Sequence, residues 1–127
     1  MLLGLRTALY TVPDVESGKA WYTDAIGHGP YFDQPFYVGY NVGGYELGLV
    51  PADEKHTPGG SGAMVYWGVD NAEAALASLL EKGATVHEAL ADVGEGILVA
   101  TVLDPFGNVF GVIENPHFKL PEAGEAA

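Results

Sequence analysis

Val12-Pro13-Asp14-Val15-Glu16-Ser17, closing at Ala25-Ile26-Gly27, is answered further along by Val69-Asp70-Asn71-Ala72-Glu73, closing at Glu81-Lys82-Gly83. Asp14 and Gly27 stand 13 residues apart, as do Asp70 and Gly83, and the two pairs are offset by 56 residues in a chain of 127. Each Asp follows a strand-like run, Leu5 to Val12 and Ala63 to Val69, and each Gly precedes further strand-like runs. A repeat of this length marks two copies of one β-α-β-rich unit. Two copies that face each other make a cleft between them.

Outward from the first quoted stretch, Pro13 ends a β-branched and aromatic strand, and Asp14 is a good N-cap for the helix that follows. Val15, Gly18, Tyr22, Ala25 and Ile26 share one helix face, with Trp21 beside it, and Gly27-His28-Gly29-Pro30 stops the helix. Tyr31 to Asp33, Phe36 to Val42 and Tyr45 to Val50 read as three antiparallel strands, the last two joined at Gly43-Gly44. In the second copy, Asp70 with Glu73 resembles a capping box, and Ala72, Ala75, Leu76, Leu79 and Leu80 form the helix's apolar face. Thr85 to Ala89, Ile97 to Leu103 and Val109 to Glu114 are predicted strands, with Asp104-Pro105-Phe106-Gly107-Asn108 as a turn. The expected organisation is one domain over residues 1–120. Its first module covers about 4–51, a Gly/Pro-rich connector 52–62, and the second module about 63–115, with a frayed tail at 121–127.

Composition narrows the function. With only 5 Lys and Arg against 17 Asp and Glu, the chain cannot neutralise a phosphate backbone, so no nucleic-acid partner is expected. The net charge of −12 attracts cationic small molecules at long range, and it also serves plain solubility. No apolar run reaches the ~20 residues a membrane span needs. The absence of Cys removes disulfides, thiolate metal sites and Cys nucleophiles. The segment Met1 to Arg6 is too short for a signal peptide, and the expectation is a cytoplasmic protein.

With the order β-α-β-β-β twice, the chain resembles the glyoxalase / bleomycin-resistance / extradiol-dioxygenase (vicinal oxygen chelate) superfamily. Val12 to Ser17 leading to Trp21-Tyr22-Thr23-Asp24-Ala25-Ile26-Gly27 carry the resemblance, with Val69-Asp70-Asn71, Glu81-Lys82-Gly83-Ala84 and Asp104 to Asn108. It implies an α+β fold of two βαβββ modules forming a half-open, mostly antiparallel, barrel-like sheet with helices outside. It also implies a homodimer. Metal-dependent members place one ligand on each of four central strands, usually His, Glu, His and Glu. Motif spacing puts those positions at Thr7, Glu46, Met64 and Gly111, and of these only Glu46 is a hard-metal ligand. His28, His56, His87 and His117 fall in loops, the connector, a peripheral strand and near the tail, with no spacing that brings them together. No cofactor is therefore expected.

Strand alternation predicts what fills the cleft. Ala8, Tyr10, Val12, Leu47, Leu49, Val65, Trp67, Val69, Phe110 and Val112 form an apolar set for the helices to cover. The opposite set is mixed and includes Thr7, Leu9, Glu46, Gly48, Met64, Tyr66, Gly68 and Gly111. Thr7, Leu9, Glu46, Gly48, Met64, Tyr66 and Gly111 are the candidate ligand-binding residues. The glycines either leave room for a ligand or relieve strand curvature. Glu46 is the candidate catalytic or anchoring group: it pairs with a cation or serves as a general base, or else it points to solvent from an edge strand. Tyr37, Gly39 and Asn41 lie opposite Phe36, Val38 and Tyr40 on one strand, so one of these sets can line the cleft. The expected function is metal-free binding of a small organic ligand, cationic or aromatic, between the modules. The alternatives are a metal-dependent lyase or dioxygenase of the same superfamily, and a metal-free isomerase or lyase with Glu46 as base.

Overall fold

The computed structural model describes residues 3, 5–54, 57–59 and 64–118. The first module runs β1 (Thr7–Val12), α1 (Val15–Ile26), β2 (Phe32–Gln34), β3 (Tyr37–Val42) and β4 (Tyr45–Pro51). The second runs β5 (Tyr66–Gly68), α2 (Ala72–Glu81), β6 (Thr85–Asp92), β7 (Leu98–Leu103) and β8 (Val109–Glu114). Each module folds one four-stranded mixed sheet, in the orders β1-β4-β3-β2 and β5-β8-β7-β6. The helix crossover makes β1 parallel to β4 and β5 parallel to β8, and the remaining pairs are antiparallel. The βαβββ repeat is thus present in both halves, as the sequence period requires. Ala63, His56 and the expected tail at 121–127 lie outside the described residues.

The two helices start differently. Asp14 caps α1, accepting from the Ser17 amide at 3.2 Å and from its hydroxyl at 2.6 Å. Gly27, at φ 96°, closes it in the left-handed conformation that suits glycine. In α2 the expected cap at Asp70 is displaced by one residue. Asn71 accepts from the Ala74 amide at 2.9 Å, and the Ala72 amide donates to Glu114 of β8 at 2.8 Å. A carboxylate from the neighbouring strand thus takes up an orphan helix donor, and no Asp70–Glu73 capping box is needed. Leu80, expected in the apolar face, is 38% exposed, whereas Ala72 and Leu79 are buried.

The core is a single cluster shared by both modules. Tyr10, Val12, Tyr22, Leu47 and Leu49 of the first module join Ala100, Val102, Phe110 and Val112 of the second. Gly18 lets α1 lie against β1, since a Cβ there would come within 2.9 Å of the Val12 side chain. Polar ties cross the same boundary. The Tyr22 hydroxyl donates to Asp104 at 2.6 Å, the Trp67 indole to the Tyr10 hydroxyl at 3.0 Å and the Trp21 indole to the Lys82 carbonyl at 2.8 Å. Asn108 donates to the Thr11 carbonyl at 2.7 Å. Asp104, buried, also accepts from the amides of Phe106 and Asn108, both at 2.8 Å. It therefore shapes the β7–β8 turn and fastens α1 to it. Low local dielectric makes such a satisfied network a strong orienting device.

The modules therefore meet through their helix-covered faces, and the opposite faces of both sheets are open. Leu9 is 57%, Met64 44% and Tyr66 39% exposed on those faces. Among the described residues no helix is long and apolar enough to cross a membrane.

Candidate functional site

Glu46 sits on β4, an inner strand between β1 and β3, with Thr7 beside it on one side and Asn41 on the other. It is not on an edge. Its carboxylate points onto the open face and is held by two phenols: the Tyr31 hydroxyl donates to one oxygen and the Tyr37 hydroxyl to the other. Tyr37 is on β3, and its ring crosses toward β4 on the same face. Tyr31 precedes β2 and is anchored by its own amide, which donates to the Gly39 carbonyl at 3.0 Å.

Two cross-strand glycines make this arrangement possible. Gly39 and Gly48 are paired between β3 and β4. A Cβ on Gly48 would lie 2.8 Å from both the Tyr37 Cζ and the Leu9 Cδ2, and one on Gly39 would lie 3.1 Å from Tyr37 and 3.3 Å from Tyr31. The missing side chains are thus the space in which the two rings lie. The open space at Gly48 is taken by Tyr37 of the same chain. At Gly68, by contrast, an added Cβ meets nothing within 4 Å.

The electrostatics follow from this geometry. Burial, then the hydrogen bond to Glu46 and its negative charge, push the Tyr37 phenol well above its ordinary range. The bond to Glu46, with burial and charge behind it, also raises Tyr31. Both phenols stay protonated at neutral pH and act as donors to the carboxylate. A cavity of about 290 Å³ opens beside Glu46, lined by Arg6, Tyr31, Asn41 and Tyr45 among others. Aromatic surface continues outward: the Phe32 ring centroid lies 6.0 Å from that of Tyr37 and 6.2 Å from that of Phe36, both edge-on. A carboxylate held by two phenols, with further aromatic rings nearby, is suited to orienting a polar or cationic group of a mostly apolar ligand.

The second module places its predicted residues differently. The β5–β8 register sets Tyr66 beside Gly111, and the ring lies across the glycine, where a Cβ would come within 2.7 Å of Tyr66 Cδ1. Met64 is two residues back along the same face, before β5 begins. Thr101 completes this row on β7 and donates to Glu88 of β6 at 3.1 Å. Thr7, Leu9, Glu46 and Gly48 thus share the open face of the first sheet, while Tyr66 and Gly111 share that of the second. Sequence reasoning did not single out Tyr31, Thr101 or Glu88. Tyr37 was legible through its alternation with Gly39 and Asn41.

At the four positions that the resemblance assigns to metal ligands, Thr7 offers a hydroxyl, Glu46 a carboxylate, Met64 a thioether and Gly111 only hydrogen. Gly111 supplies no donor, and both Glu46 oxygens already accept phenols, so these residues do not fit a divalent-metal site. His28, His87 and His117 are exposed and held apart, on the loop after α1, on β6 and after β8. His56 lies outside the described residues. Among the described residues no cluster of three or more His, Asp or Glu is placed to hold a metal.

Comparison with known proteins agrees with the architecture. No curated protein sequence matches the chain. A glyoxalase / bleomycin resistance protein from Catenulispora acidiphila superposes with a TM-score of 0.66 at 25% identity, covering 89% of this chain and all of that one. A member of the superfamily from Sphaerobacter thermophilus gives 0.74 at 22% identity, covering 91% and 99%. A glyoxalase-related enzyme from Fulvimarina pelagi gives 0.72 at 18% identity, covering 99% and 96%. The family model of the Glyoxalase/Bleomycin resistance protein/Dioxygenase superfamily matches residues 4–112, nearly the whole described fold, and the chain belongs to that superfamily.

Proposed function

We propose that this chain binds a small organic ligand on the open faces of its sheets, with Glu46 as the polar anchor and without a catalytic metal. The observation that carries this reading is the carboxylate of Glu46, clasped by Tyr31 and Tyr37 on an inner strand beside a cavity. The donor set argues for binding over metal chemistry, since three of the four superfamily positions offer no hard anionic ligand. Engagement of both oxygens by phenols leaves Glu46 better placed to orient a ligand than to take up a proton as a base. A cationic or aromatic ligand suits the ring-lined carboxylate and the net charge of −12.

The open faces support a homodimer. Leu9 on the first sheet, with Met64 and Tyr66 on the second, leaves apolar surface uncovered in the single chain. Facing the first module of one copy with the second module of another would cover both and close the cleft. The direct test is calorimetric titration with a panel of aryl- and alkylammonium compounds, run beside elemental analysis of protein purified without chelators. The expected result is saturable binding by metal-free protein, with Glu46→Gln weakening it by about 10-fold or more, as losing a charged hydrogen-bond acceptor does. Stoichiometric metal, or binding indifferent to Glu46→Gln, would overturn the proposal. Sedimentation of the protein against Leu9→Asp tests the dimer: the wild type is expected at twice the monomer mass and the variant at the monomer mass.

A further inference from the structure

A second cavity, of about 200 Å³, lies on the other side of the sheets. Its floor is Leu47, Trp67, Phe110 and Val112, and its walls are the C-terminal half of α1 and the facing side of α2. Strand alternation separates it from the Glu46 site: Leu47 and Glu46 are consecutive on β4, Val112 and Gly111 on β8, and each pair points to opposite faces. The cavity exists because small side chains stand where the helices approach, Ala25 on α1 with Ala75 and Ser78 on α2.

From these observations we infer that the space between α1 and α2 is a second ligand site, for a single aromatic ring or a short branched hydrocarbon. The lining leaves little for water to bond. The Trp67 indole N–H is already given to the Tyr10 hydroxyl at 3.0 Å, and Ser78, the one hydroxyl side chain in the lining, is exposed at the mouth. The space is half open to solvent, but water inside it finds few polar partners on its walls, and an apolar cavity of about 150 Å³ admits benzene. At about 200 Å³ this space takes one ring with a small substituent. It is too narrow for a protein partner, because a specific interface buries about 1,200 Å² or more in total. Trp67 and Phe110 are the aromatic residues of the lining against which a ring can pack.

The position gives such binding a consequence. The lining draws on both modules, Ala25, Val42 and Leu47 from the first and Trp67, Leu79 and Phe110 from the second. An occupant therefore bridges the same boundary that Tyr22 and Asp104 fasten. It stabilises the paired arrangement without touching Glu46.

The experiment uses toluene and the full chain, with two readouts. Toluene is expected to raise the melting temperature by about 5 °C at ten times its dissociation constant, the rise growing with the logarithm of its concentration. Amide and methyl NMR shifts are expected to move at Ala25, Ile26, Ala75 and Leu79 while Glu46 and Tyr37 stay still. Ala75→Leu, which fills the space, is expected to weaken toluene at least tenfold, and Glu46→Gln to leave it unchanged. If Ala75→Leu does not fold, the wild-type shift map decides alone. NMR shifts confined to Leu9, Tyr66 or the Glu46 face, shifts that do not saturate up to the solubility of toluene, or undiminished binding by the filled variant would each overturn the inference.

Discussion

The two modules share one plan and differ most on their open faces. In the first, an inner strand carries Glu46, and Tyr37 reaches over Gly48 to hold it. In the second, Gly111 holds the inner strand and lies under Tyr66, while the carboxylate of the row, Glu88, stands on the outer strand and bonds Thr101. The helix-covered faces, by contrast, merge into one apolar core. Duplication has kept what folding needs in both halves, the crossover and the apolar row, and left the open faces free to diverge. Glycine recurs beneath a tyrosine in both modules, so the device that makes room for a ring is common to them, and the anchored carboxylate belongs to one.

The largest expected effect breaks the shared core. Asp104→Ala removes the acceptor of Tyr22 and of two turn amides in a buried position, and is expected to cost about 3–5 kcal/mol by chemical denaturation. A loss under 1 kcal/mol would mean the Asp104 network contributes little to holding the modules together. Next comes the glycine comparison. Gly48→Ala forces a methyl group into Tyr37 and Leu9 and is expected to cost about 1–3 kcal/mol, while Gly68→Ala, with open space around it, stays within about 0.5 kcal/mol. Equal costs at the two sites would remove the argument that Gly48 exists for the ring.

Alkaline titration separates the core phenols from the open-face phenol. Burial pushes Tyr10 up to about 12 and also raises Tyr22 and Tyr37 above the ordinary tyrosine value of about 10. Above pH ~10 the unfolded chain releases protons that the folded chain keeps. The stability these groups contribute is present in full below that pH and falls as pH rises through the folded values. Denaturation midpoints measured from pH 9 to 12 are expected to decline across that window. Glu46→Gln is expected to bring the Tyr37 titration down, followed by absorbance at 295 nm, and to leave Tyr10 in place. The smallest effect concerns the helix starts. Asn71→Ala is expected to cost about 1 kcal/mol, while Asp70→Ala, at the residue that does not cap α2, costs almost nothing. Denaturation midpoints of the two variants check this, and a reversed order would restore the Asp70 cap.

Much of this was legible before the structure. Asp14 and Gly27 bound α1 because capping chemistry is local, and the apolar and mixed sets on the strands separated correctly because side chains alternate with period two. The displaced cap on α2 was less legible, since Asp70 and Asn71 are both good caps. The choice fell to Asn71 once Glu114, more than 40 residues away, was brought to the Ala72 amide. In the candidate site, Glu46 and its face could be read from alternation, and Tyr37 from its place on β3. Tyr31 could not, because its role depends on the β2–β3 pairing that carries its ring over Gly39.

The sequence by itself determined the duplicated βαβββ order and the helix-covered and open faces. These follow from spacing along the chain, where each residue's neighbours are known. Only the tertiary structure decided that Tyr31 and Tyr37 meet on Glu46, that Asp104 fastens the second module to α1, and that a cavity opens between the helices. Those contacts join residues 9 to 82 positions apart. They depend on strand register, ring placement over glycine and the approach of two helices, none of which a local pattern specifies.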